Sequence, residues 1–148
     1  MSFDPETFMT TATTEANETT YQPVPEGEYR AMISDAVARQ PKPGFVLLDV
    51  TYDIDDPQLA EKLNRQNPVK IRSGVILDVS DDGALETGAN KNVKLGKLRD
   101  AVGQNQPGQP WSPQKLIGAG PVTIFVGHRA DKENADVVYE EVKRWAAA

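Results

Sequence analysis

The sequence predicts an all-β fold: a five-stranded antiparallel barrel with one or two short helices, preceded by an extended N-terminal arm. Three observations carry this expectation. Apolar residues recur at every second position in separate runs, the period of a half-buried strand. Turn-forming clusters separate most of these runs, with no regular βαβ alternation, which favours an antiparallel barrel or sandwich. The first 24 residues also differ in composition from the rest. They divide the 148-residue chain into an acidic, Thr-rich arm, 1–24, and one domain, 25–148.

The arm is short of core-forming groups. Its stretch MTTATTEANETT, residues 9–20, is expected to be disordered in isolation. Residues 1–26 carry Asp4, Glu6, Glu15, Glu18 and Glu26 and no base. Within FDPETF, Phe3 and Phe8 stand among acids, so the segment has the chemistry of a peptide that docks in a basic, apolar groove. Phe3 and Phe8 are therefore candidate partner-binding residues, on a different protein or on another copy of this chain. The other reading is a solubilising tail.

The domain opens after Pro23 and Pro25 with a strand from Gly27 to about Arg39, its Tyr29, Ala31 and Ile33 on one face. The cluster QPKPG is a turn. The next strand alternates Val46, Leu48, Val50, Tyr52 and Ile54 with Leu47, Asp49, Thr51 and Asp53. A short helix is expected over 56–66, with Asp56 as N-cap and Pro57 in the first turn. A third strand follows, with Val69, Ile71, Ser73, Val75, Leu77 and Val79 facing one way and Lys70 and Arg72 the other. The DDG turn at 81–83 comes before a second helix, Val93 to Val102, which Asn92 would cap and Gly103 would end. A loop, QNQPGQP, leads to Trp111 and a helical turn at Ser112-Pro113. The last hairpin pairs 121–129 with 137–145, and in its second strand Val137, Val138, Tyr139 and Val142 leave the register open. Val46, Leu48, Val50, Val75, Leu77, Val122, Ile124 and Val126 are the expected core.

Composition narrows the function. With no cysteine there are no disulfides or thiolate metal sites. No run of about 18 apolar residues exists to span a membrane, and the acidic start MSFDPETF is unlike a signal peptide, so a cytosolic product is expected. His128 is the only histidine, without a nucleophile beside it, and Asp49, Asp53, Asp55 and Asp56 lack the glycine and terminal glutamate of a calcium loop. These acids suit a solvated edge that discourages strand pairing. Gly118-Ala119-Gly120 precedes a strand instead of following one, the wrong place for a phosphate loop. No catalytic residues, metal or cofactor are assigned, and the expected activity is non-enzymatic. The net charge is −6, yet residues 62–99 hold eight bases against four acids, a local positive segment in a near-neutral body.

The segments PEGEYRAMI, FVLLDVTY, NVKLGKLRDAVG and VGHRADKENADVVYEEVKRW resemble phage-encoded single-stranded DNA-binding-like proteins. The resemblance covers roughly residues 24–146. It implies an OB-like barrel, with its helix between the third and fourth strands, and binding of single-stranded DNA in phage replication or recombination. The chain departs from the group in ending KRWAAA, with its acids at the other end.

An OB-type barrel binds nucleic acid on its second and third strands. Single strands need cations for phosphates and aromatic faces for bases. Phe45, Lys70 and Arg72 meet that need on the strands, Lys91, Lys94 and Lys97 on the basic helical segment, and Arg129 on the fourth strand. Trp111 serves as a stacking platform, as an interface anchor or as a lid on the core. The expected function is binding of single-stranded DNA with little sequence preference, in the host cytoplasm, by a homo-oligomer. Phage replication or capsid proteins are the partners the arm would recruit. The alternative is a virion component, a capsid-stabilising or decoration protein whose arm extends over a neighbouring subunit.

Overall fold

Alternation in the sequence becomes strand pairing in the computed structural model, which describes residues 2–19 and 21–148. The elements are α1 (Pro5–Thr10), β1 (Gly27–Lys42), β2 (Phe45–Ile54), α2 (Pro57–Leu63), β3 (Val69–Leu77), α3 (Val93–Ala101), a 3-10 turn (Pro113–Leu116), β4 (Val122–Ala130) and β5 (Val138–Ala147). The five strands form one antiparallel sheet in the order β3-β2-β1-β4-β5. No ladder joins the edge strands β3 and β5 among the described residues, so the sheet does not close into the expected closed or nearly closed barrel. The edges still meet: the buried Val142 N–H donates to Ser73 Oγ at 3.1 Å, and Arg65 pairs with Glu140 at 3.0 Å.

β1 is the axis of the sheet. Its first residues, Gly27–Ala31, pair with β4, and from Met32 onward it pairs with β2. Just past this change of partner, within the β1–β2 ladder, a register shift between Ile33 and Asp35 marks a bulge of the kind that bends and twists a strand. The Gly118-Ala119-Gly120 loop lies against this bend. Ile33 donates to the Ala119 carbonyl at 2.9 Å and accepts from Gly118 at 2.7 Å. A Cβ on Gly120 would lie 3.2 Å from the Ala31 carbonyl oxygen, and its φ is +129°, so this glycine serves close backbone approach.

β1 also runs beyond Arg39. The prolines of QPKPG do not end it at Arg39, because Lys42 pairs with Phe45 across a two-residue Pro43-Gly44 turn with Gly44 at φ +76°.

The core lies on the inner face of the curled sheet. Leu48, Val50, Val75, Val122, Ile124 and Val126 are buried as expected. Val46 and Leu77, partners at the end of the β2–β3 ladder, are only half-buried. α3 contributes Leu95 and Leu98, and β5 contributes Val142. The regular ladder from Val138 to Val142 puts Tyr139 on the opposite face from Val142, and Val138, on the same face as Val142, is exposed at the start of the strand. Asp56 caps α2 by accepting from the Leu59 N–H at 3.1 Å. Asn92 does not cap α3. It sits at φ +50°, and its side chain ties Asp78 to Glu86 instead.

The arm differs from expectation at both ends. Pro5–Thr10 form a short helix, started by Asp4, which accepts from the Glu6 N–H and the Thr7 hydroxyl. Residues 2–19 are all exposed. Met1 and Thr20 lie outside the described residues. Val24, which the composition placed in the arm, is fully buried in the core. Its carbonyl lies 2.6 Å from His128 Nε2, and its N–H donates to Glu140. A carbonyl can only accept, so Nε2 carries the proton. Among the described residues no helix is long and apolar enough to cross a membrane.

Candidate nucleic-acid interface

Because Leu48, Val50, Ile71 and Val75 face the core, the residues between them face out. The two ladders set these outward residues in rows. Arg39, Leu47 and Ile76 form one, Val37, Asp49 and Gly74 the next, and Asp35, Thr51 and Arg72 the third. The face is mixed: Ile76 is 61% exposed, Val37 and Arg72 are exposed, and Leu47 is half-buried.

An open groove of about 1000 Å³ crosses this face. Phe45, Leu47 and Ile76 supply its apolar lining. Arg39, Arg72, Lys94 and Arg129 supply its cations, from β1, β3, α3 and β4. Asp49, Glu140 and Glu141 also line it, so its charge is only slightly positive. Gly74 lets two side chains pack over the backbone: a Cβ there would lie 3.3 Å from Asp49 Oδ1 and 3.5 Å from Leu47 Cδ2.

Asp49 is the centre of the groove's electrostatics. The residue is only 6% exposed, and Oδ2 accepts from Arg39 Nε and, at 3.1 Å, from Arg72 Nη2. The expectation of a solvated acidic edge is corrected here. Asp53 accepts from Lys70 Nζ and Ser34 Oγ, each at 2.8 Å, Asp55 accepts from Asn67, and Asp56 caps α2. Each acid has its own partner, and no three His, Asp or Glu side chains converge on a metal-sized site among the described residues.

The expected site residues divide. Phe45, Arg72, Lys94 and Arg129 come together in the groove, with Lys42 Nζ 5.3 Å from the Phe45 ring centre. Lys70 lies one row beyond Arg72, on a second groove. Lys91 points elsewhere, pairing with Glu86 at 3.1 Å, which holds its ammonium above the usual lysine value. Lys97 is exposed on α3 but does not line the groove. Trp111 is half-buried against the core. Its Nε1–H donates to Gln104 at 2.9 Å, and the Arg99 guanidinium lies 4.1 Å from the ring centre. Of its expected roles, this geometry is that of the lid. Trp145 donates to the buried Tyr52 hydroxyl at 2.8 Å, and burial pushes that phenol well up.

Phe3 and Phe8 meet edge to face at 5.2 Å on the arm, away from the groove, both exposed. Arg39 and Ile76 were missed as site residues. The alternation of β1 and β3 carries their outward orientation, but only the β1–β2–β3 register sets them on either side of Leu47.

Compared with protein-family models, curated proteins and solved structures, the chain matches none. The groove's chemistry is therefore what speaks to function: apolar surface for flat rings and four cations for anionic oxygens.

Proposed function

We propose that the chain is a non-enzymatic single-stranded DNA-binding protein of phage type, with little sequence preference. The observation that carries this reading is the groove on the outer face of β1, β2 and β3. Phe45, Leu47 and Ile76 offer apolar faces to bases, and Arg39, Arg72, Lys94 and Arg129 offer donors to phosphates. Asp49 holds Arg39 and Arg72 in place before any ligand arrives, which lowers the entropy lost on binding, while its charge offsets part of their attraction for phosphates. The strand order supports an OB-like barrel: rolling the sheet until β3 meets β5 gives the partly open, five-stranded form, with α3 between the third and fourth strands. Action in phage replication or recombination, within an infected cell, follows from the resemblance.

Fluorescence anisotropy with labelled oligo-dT tests the reading. Oligo-dT is expected to bind more tightly than duplex, with affinity falling as salt rises by about one unit of log–log slope per phosphate contacted. Arg72→Glu is expected to weaken binding of all sequences alike, and Lys97→Glu, off the groove, to change it less. No binding of dT at low salt removes the proposal.

A second reading, a virion component, is favoured by one observation. The arm is exposed throughout its described length and presents the paired rings of Phe3 and Phe8 to solvent. That suits an arm lying over a neighbouring subunit.

A further inference from the structure

A second groove, of about 460 Å³, opens beside the first, between the start of β5, β3 and the base of the arm. Its aromatic residues are Tyr21 and Tyr139 and its unshared cations are Arg65 and Lys70. Arg72 and Glu140 line both grooves, so the two meet there.

The second groove has the same chemistry as the first, and its ring is already held. Tyr139 is 45% exposed. Its hydroxyl donates to Asp131 Oδ2 at 3.0 Å, and the Arg129 guanidinium lies 5.4 Å from the ring centre. A ring tethered at its tip and backed by a cation loses little freedom when a base stacks on it. Tyr21, 90% exposed, lies across the groove on the segment that leads into the buried Val24. The one acid in the lining, Glu140, is spoken for: it accepts from Arg65 and from the Val24 N–H. Its charge is neutralised from within. Lys70 and Arg72 are the cations that face a ligand, each more than half exposed while also paired with one carboxylate, Asp53 and Asp49 respectively.

We propose that the second groove continues the nucleic-acid track. On this proposal, which rests on the single-stranded DNA reading above, a strand lying along Phe45 and Ile76 passes a phosphate over Arg72 and sets its following bases on Tyr139 and Tyr21. The ligand class is a single-stranded nucleic acid longer than the first groove accommodates. OB-type modules cover about 4–16 nucleotides each, so the two grooves divide a site of ordinary size.

The test compares a short dT oligonucleotide of about 5 nucleotides with a long one of about 15 on wild type and on the double variant Tyr21→Ala, Tyr139→Ala. Both tyrosines are exposed, and unchanged thermal unfolding of the variant verifies the fold. The long oligonucleotide is expected to lose about ten-fold or more in affinity, the usual value of one lost base stack, while the short one is unaffected. Photocrosslinking of halogenated deoxyuridine, mapped by mass spectrometry, is expected to reach Tyr139 from the long oligonucleotide only. Equal losses for both lengths, or no loss for either, overturn the proposal and leave the first groove as the site. A changed oligomeric state of the double variant, with DNA affinity intact, overturns it in favour of a protein contact. If wild type binds neither oligonucleotide, the single-stranded DNA reading itself fails.

Discussion

Asp49 holds two arginines of the groove with one carboxylate, and that gives it opposing effects on stability and binding. The acid is nearly buried, and both arginine side chains are half or more exposed. Screening by water therefore limits the pairing to about 1 kcal/mol of stability. Asp49→Asn keeps the shape and removes the charge. Urea unfolding is expected to show a loss of that size, while dT affinity at low salt rises several-fold and its salt slope steepens by about 1. A fall in affinity with unchanged stability would mean that the carboxylate positions the arginines more than it neutralises them. The β2 alternation faced Asp49 outward, but nothing local announced that Arg39 and Arg72, ten and 23 residues away, close over it. Tyr139 and Asp131 make a second legible-in-hindsight pair. The Glu133 N–H and the Tyr139 hydroxyl hold the Asp131 carboxyl below its ordinary 3.8, and the hydrogen bond to Asp131 raises the Tyr139 phenol above 10.0. A lowered acid contributes above its unfolded value and is lost as pH falls through the folded one. A raised phenol contributes below its unfolded value and is lost as pH rises through the folded one. The pair's contribution to the β4–β5 turn is thus expected to be complete between about pH 4 and pH 10 and to fade beyond each end, the acid's as pH falls through its lowered value and the phenol's as pH rises through its raised one. The Glu133 amide shift in an NMR titration reports it, and a transition near neutrality would contradict the assignment.

At the scale of elements, the helix signals differ in how far they could be trusted. Asp56-Pro57 announced α2 because an N-cap and a first-turn proline act within one turn, with no tertiary help. Asp56→Ala is expected to cost about 1 kcal/mol, lowering Tm by about 2–4 °C in a domain of this size. An unchanged Tm would mean that packing of Leu59 and Leu63 alone holds the helix. Asn92 misled because the same residue type also bridges backbone groups in loops, and here the end of β3 claims its amide. The strand β1 outran its expected end since Pro41 lies within the register shift between Arg39 and Lys42, where no pairing needs its missing N–H, and Pro43 falls in the turn. Gly118-Ala119-Gly120 was legible only as an unsuitable phosphate loop. Its use, bracing the β1 bend, depends on a contact some 85 residues distant in sequence. Gly120→Ala is expected to destabilise by about 1–3 kcal/mol, from the positive φ together with the approach to Ala31. A smaller loss would show that the loop can shift away from β1.

For the molecule as a whole, strand number and antiparallel pairing were readable because period-2 patterns and turn residues are local. Closure was not, since it depends on how β3 and β5, far apart in sequence, meet at the seam. There the buried Val142 N–H relies on Ser73 Oγ. The site was legible by strand face but not by groove: Phe45, Arg72, Lys94 and Arg129 converge, whereas Lys91, Lys97 and Trp111 belong to other surfaces. The arm stands apart from all of this. Its described residues up to 19 are exposed, so its removal takes no core contact away. Deletion of residues 1–20 is therefore expected to leave Tm unchanged. It also removes Asp4, Glu6, Glu15 and Glu18 and no base, so affinity for long dT should hold or rise as repulsion of the phosphates is relieved. Phe3 and Phe8 should then declare their role through what is lost. Under the DNA-binding reading that is capture of a protein partner, and under the virion reading it is incorporation into particles. A truncated protein equal to full length in DNA affinity, partner pull-down and particle association would make the arm a solubilising tail. Phe3→Ala with Phe8→Ala separates charge from contact: it keeps every acid, so a loss of partner binding in that variant assigns the docking to the paired rings alone.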